Sequence, residues 1–314
     1  MMESVFGVES PAFVAIRAVL SACTVLLLGA LALRFVVLRR YEGPDARELR
    51  DAIDSTLPRW IFALGLVALL ATLARLGAQH AAVFGGDVAP SGESLSALLF
   101  RAGWGRTWLV ALASAVAVTW VAPRLRQNTT AGWATLAGAV FAFTVTQPWS
   151  GHPAAAAEPM LAIATQFVHV VGAGGWLGSL ALLTFVAVPA AGRVSTEHAS
   201  SADARIAALV RAFSPTALIF ASVLAVTGLA TAWVNLGSAA ALWQSVYGRT
   251  LLLKLALLGV VAGTGAYNWR RVLPSLGQSN GSAALRRSSL VELAAGVLVL
   301  VVTAVLVATP MPGE

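Results

Sequence analysis

Charged side chains make up only 11% of the 314 residues, while 58% are hydrophobic and the mean hydropathy is +0.79. That balance excludes a soluble globular domain, which would have to expose large apolar patches. The chain reads as an integral membrane protein. The net charge of +7 comes from arginines dispersed between apolar runs, not gathered on one solvated face, and this excludes a nucleic-acid binder. With a single cysteine, Cys23, no internal disulfide is possible. There is no nucleotide-binding glycine loop, no CxxC or HExxH pattern and no paired-carboxylate site in a soluble domain. Primary pumping and enzymatic activity are therefore not expected. The opening MMESVFGVESP holds two Glu and no basic residue, so it lacks a signal peptide's basic region and the first apolar segment is expected to be retained.

What is present is a series of long apolar runs. Hydrocarbon about 30 Å thick needs about 20 helical residues, and segments of that size occur near 12–38, 59–80, 104–122, 132–148, 160–188, 214–235, 249–269 and 289–309. Because backbone polar groups must be satisfied inside lipid, helices are the natural reading. The expected fold is all-α, with eight transmembrane helices.

The arginines set the expected orientation. The connections after segments 1, 3, 5 and 7 hold fourteen basic residues, from Arg39 to Arg287, whereas the opposite side holds only Arg101, Arg106 and Arg249. By the positive-inside rule both termini face the periplasm. The chain also repeats itself. GRTWLVALA at 105–113 resembles GRTLLLKLA at 248–256, and ALALRFVV at 30–37 resembles LALLTFVAV at 180–188. Four spans per unit make the halves parallel, dividing the chain into a first four-helix repeat at 1–150 and a second at 151–314.

The stretch Ser150–Leu180, SGHPAAAAEPMLAIATQFVHVVGAGGWLGSL, holds two of the four histidines. His152 lies just outside the apolar segment; His169 lies inside it, with Gly172 and Trp176 at i+3 and i+7 on the same helical face. An imidazole about nine residues into a span sits about 13 Å below the outer boundary, where an ionisable group is a functional-site hypothesis. A structural alternative is a hydrogen bond to Gln166 or Asn235. Gly172, Gly174, Gly175 and Gly178 thin the same helix for close packing. His80, His152, Met160 and Met311 lie near the outer face, an imidazole and thioether set suited to copper, although a Met at a helix end also serves packing. His198 reads as solvated. Among intramembrane charges, Arg34, Arg75 and Lys254 can snorkel. Glu292 is either ion-paired with neighbouring arginines or an inner-side exit ligand or proton-coupled carboxylate.

SGHPAA followed by FVHVVGAGGWLGSLALL resembles the GHA…H…WLGG signature of the CopD copper-resistance membrane proteins. AFSPTALIFASVLAVTGLATAWVNL, LWQSVYGRTLLLKLALLGVVAGTGAYNWRRVLP and LRRSSLVELAAGVLVLVVTAVLVATPMP are similar to the CopD-type domain across 211–312, and FRAGWGRTWLV extends the similarity into the first half. The resemblance implies copper movement across the bacterial inner membrane toward the cytoplasm, beside a periplasmic CopC-type copper-binding partner. Carried over by position, it picks out His152, His169, Trp176, Gly178, Arg249, Lys254, Asn268 and Glu292. The chain departs at Ser179, where the family has a second glycine, and at Pro153, where it has GHA. No CopC-like soluble domain is fused to it.

The expectation is a multi-pass inner-membrane copper transporter for Cu(I) or Cu(II). His152, with Met160, His80 or Met311, captures the ion and His169 takes it deeper. Trp176, Gly178, Lys254, Asn268 and Glu292 shape the path, with Trp176 packing or gating rather than ligating. Two rivals stand beside it. A membrane b-type cytochrome needs two histidines at matching depth, and a copper-docking or oxidase-assembly protein would bind copper without moving it.

Overall fold

A computed structural model describes residues 11–43, 45–150, 158–194, 201–272, 274 and 281–309. His152, His198 and Met311 lie outside the described residues. The described chain is helical, and no strand occurs within it. The long helices are α1 (Pro11–Arg40), α2 (Ala46–Phe84), α4 (Gly103–Gln127), α5 (Thr130–Trp149), α6 (Pro159–Arg193), α7 (Ala202–Leu236), α9 (Val246–Val272) and α10 (Gly281–Ala308); two short helices, α3 (Gly92–Ser96) and α8 (Ala241–Gln244), precede α4 and α9. Seven are long and apolar enough to cross a membrane. The exception is α5, whose sequence TAGWATLAGAVFAFTVTQPW is diluted by Gly, Thr, Gln147 and Pro148.

Two helices, α2 and α7, start furthest ahead of the apolar runs that predict them. α2 starts at Ala46, so Arg47, Arg50 and Arg59 sit on a helix and the connection after α1 shrinks to residues 41–45. Leu49, Ile53, Leu57 and Ile61 explain the extension: spaced four apart, they form one fully buried stripe that continues the helix beyond the uncharged stretch. Likewise α7 begins at Ala202, capped by Ser201, whose hydroxyl accepts from the Ala204 amide.

The centre of the bundle is α1 and α6. In both, most of the apolar span is buried, whereas α7 and α9 are largely exposed along theirs. α1 packs against α2, α5, α6 and α10, α2 against α4, α4 against α5, α6 against α7, and α9 against α10. Two local features occur twice along the chain. α1 and α6 each contain a widened π-helical turn, at Leu33–Val37 and Leu183–Ala187. At each GRT sequence, a glycine, Gly105 or Gly248, lies against carbonyls of the preceding turn with no room for a Cβ.

One buried knot ties α7 to the connection between α1 and α2. Arg205 of α7 is 4% exposed, and its guanidinium donates to Ala191 O (2.7 Å), Val194 O (2.7 Å) and the Asp45 carboxylate (3.2 Å). Tyr41 donates to the other Asp45 oxygen at 2.9 Å. Two charges expected to snorkel are instead engaged. Arg34 lies 2.7 Å from Asp54, and buried Arg75 donates to Ser150 Oγ (2.9 Å) over the ring of Trp104. The helices around them supply partners closer than the interface, so neither side chain has to reach water.

Candidate functional site

The glycines of α6 sort by face. Gly174 and Gly178 meet α1: a Cβ at Gly178 would collide with the Val25 carbonyl, one at Gly174 with the Leu28 side chain, and one at Gly29 of α1 with the Gly178 backbone. Gly172 and Gly175 face the other way, against the α7 backbone at Phe220 and Leu224 and against the Phe220 ring. α6 is thus clamped between α1 and α7 by near backbone contact, the arrangement that small residues permit in membrane helices. Its second π-helical stretch, Gly174–Gly178, carries Trp176, which is buried in the main core and packs there.

One turn before this clamp, half-buried His169 points at α7. Its Nδ1 lies 3.0 Å from Thr227 Oγ1. The partner is therefore neither Gln166 nor Asn235; Asn235 instead donates to the Tyr247 hydroxyl at 2.8 Å. The ring rests against Gly228, where a Cβ would stand 3.1 Å from Cε1. Lys254 of α9 lies within electrostatic reach of the ring.

Of the other residues expected at the outer face, the two that are described, His80 and Met160, have surroundings of their own. His80 is 2% exposed on α2, stacks on Phe84, and engages Ser94 Oγ at 2.8 Å through Nε2. Ser94 also closes the capping box at the start of α3, so His80 ties α2 to that cap. That bond occupies the nitrogen that an axial haem ligand or a copper ligand on that edge would need. Met160 is 68% exposed in the first turn of α6. Among the described residues, no three His, Cys, Asp or Glu side chains cluster to hold a metal.

Toward the arginine-rich end a second pair forms. Asn268 Nδ2 donates to Glu292 Oε2 at 3.2 Å, and both residues are buried. Among the described residues Glu292 forms no ion pair, so its partner is an amide where an arginine was an expected possibility. The pair borders a cavity of about 900 Å³ between α6, α7, α9 and α10, lined mainly by apolar side chains, with Arg287 also on its wall. Oxygen donors of this kind suit hard ions and protons better than Cu(I).

Comparison with known proteins turns on this layout. Residues 8–160 match the Copper resistance protein D-like, N-terminal domain, and residues 207–306 match Copper resistance protein D. The chain belongs to the CopD copper-resistance family. Copper transport protein CutJ of Bacillus subtilis (strain 168) is 26% identical over 309 residues, which cover 97% of this chain and 54% of CutJ. The chain thus spans about half the length of that relative. No solved structure matches. Of the CopD-family chain's candidate residues, His80, His152 and Met160 fall in the first matched stretch and Lys254, Asn268 and Glu292 in the second, while His169, Trp176 and Gly178 lie between the two and Met311 after the second. Thr227, Gly29 and the Asp45–Arg205 knot escaped the sequence reading, because a lone Thr, Gly or Arg in such a chain carries no distinguishing pattern.

Proposed function

We propose that this protein carries copper across the bacterial inner membrane, from periplasm to cytoplasm. The observation that carries the reading is His169, an imidazole inside a membrane helix whose Nδ1 is held by a neighbouring helix. Membership of a copper-resistance family and the similarity to a protein named for copper transport support it. In this reading α5 is an eighth crossing, both termini face the periplasm, and residues 1–150 and 151–314 are parallel repeats. The paired π-helical turns and the paired GRT turns support the repeat. His152, with Met160 and Met311, receives copper at the outer mouth, and a CopC-type periplasmic protein delivers it. His169 is the next station, Trp176 and Gly178 hold its helix in place, and Asn268 and Glu292 border the inner exit. His80, whose Nε2 is committed to Ser94, contributes by shaping the mouth.

Purified protein in liposomes tests this. Copper is expected to accumulate in the lumen with the wild type and to fall to near the protein-free background in His169→Ala and His152→Ala. Wild-type rates in both variants would refute the assignment. Saturable binding to the outside of the vesicles without entry would convert the reading to a docking protein.

A further inference from the structure

We infer that Thr227 is a positioning residue that locks His169 in the Nδ1–H tautomer and so presents Nε2, with its lone pair, as the copper ligand; this rests on the transport reading above. The inference follows from where one hydrogen goes. Thr227 Oγ1 lies 2.7 Å from Val223 O and 3.3 Å from Leu224 O, the back-bond of a helical threonine to the preceding turn. A hydroxyl has one hydrogen to donate, and here it is spent on the helix carbonyls. Toward His169 the oxygen therefore offers a lone pair, and the contact at 3.0 Å requires the hydrogen to sit on Nδ1.

A neutral imidazole carries a single ring hydrogen, so Nε2 is left as the bare nitrogen. Nδ1 is the nitrogen that Thr227 holds, and the Leu224 carbonyl also lies within hydrogen-bonding reach of the ring. Metal-binding histidines commonly show this division of labour, one nitrogen on the metal and the other donating to a fixed acceptor. Gly228 completes the seat. It follows Thr227 directly, and its missing side chain lets the Nδ1–Cε1 edge lie against α7 while Nε2 points away. Neither Thr227 nor Gly228 needs to touch copper.

The decisive measurement uses the full-length protein without copper, labelled with ¹⁵N-histidine, with the His169 signal assigned by its loss in His169→Gln. The wild type is expected to show a pyridine-type Nε2 and a protonated Nδ1. Thr227→Val keeps the shape but removes the hydroxyl acceptor, leaving the Leu224 carbonyl beside the ring, and the Nδ1–H preference is expected to weaken; Thr227→Ser restores it. Copper affinity should follow, falling about 10- to 100-fold in Thr227→Val and recovering in Thr227→Ser. Gly228→Ala, which pushes on the ring and leaves the acceptor intact, is expected to weaken copper binding while keeping the tautomer. An Nε2–H tautomer in the wild type, or an unchanged tautomer in Thr227→Val, overturns the inference whatever the copper data show. If the tautomer behaves as stated but His169→Gln binds and transports copper normally, the transport role of His169 falls while the Thr227–His169 lock stands.

Discussion

Gly178→Leu is expected to abolish recovery of folded protein, with a destabilisation above about 4 kcal/mol, in the rare tail for single substitutions. The reason is geometric. A Cβ at 178, whose position the backbone fixes, would overlap the backbone carbonyl of Val25 between the two most buried helices, so no rotamer change can relieve the clash. The helices would have to separate, undoing the packing of Trp176, Leu177 and Leu180 against α1 as well. Gly29→Leu meets the same surface from the other side and is expected to fail equally. Gly138→Ala is the control: nothing lies within 4 Å of its would-be Cβ on the exposed face of α5, and alanine is the better helix former by about 1 kcal/mol. Size-exclusion chromatography and thermal unfolding in detergent separate the outcomes. A monodisperse Gly178→Leu protein with wild-type Tm would show that α1 and α6 do not cross as described.

Arg205→Ala is expected to cost about 3–5 kcal/mol, the range for removing one partner of a buried ion pair. It would strand the Asp45 carboxylate with the Tyr41 hydroxyl among its remaining partners, and leave the carbonyls of Ala191 and Val194 without this donor. Arg205→Lys is expected to recover only part of the loss, since an ammonium cannot span three acceptors as the planar guanidinium does. The double variant Asp45→Asn with Arg205→Met should be less damaging than the sum of the single changes, because the uncompensated charge is gone. Thermal unfolding of the four proteins in one detergent reads the coupling, and strictly additive effects would count against the knot. Burial, then the hydrogen bond to Asp45, push the Tyr41 phenol well above its ordinary value of 10.0. A group raised in this way stabilises the fold fully below its unfolded value and loses that contribution as pH climbs through the folded one. Stability should therefore be flat across neutral pH on this account and decline only in strong alkali.

Much of the architecture was legible without coordinates. Length and apolarity are local properties, and they located every long helix, including the diluted α5. The same local rule misjudged where α2 and α7 begin, because their N-terminal ends are amphipathic and are held by packing rather than by lipid. The small residues of α6 announced a close-packed helix. They did not say that Gly174 and Gly178 meet α1 while Gly172 and Gly175 meet α7, since the partner depends on a crossing between segments far apart in the chain.

The candidate site divides in the same way. His169 stood out alone, because an imidazole inside an apolar run is conspicuous by itself. Its hydrogen-bond partner did not: Thr227 is 58 residues away, and only the packing of α6 on α7 selects it over Gln166 or Asn235. Arg205 read as one more positive charge on the inner side, and the fold made it the centre of a buried knot with Asp45. By itself, the sequence determined a helical membrane protein with a histidine inside one of its long apolar helices, because hydropathy acts residue by residue. Only the tertiary structure decided which glycines touch, which charges are paired and which side chain meets His169, because each of those depends on the directions in which side chains from distant segments meet.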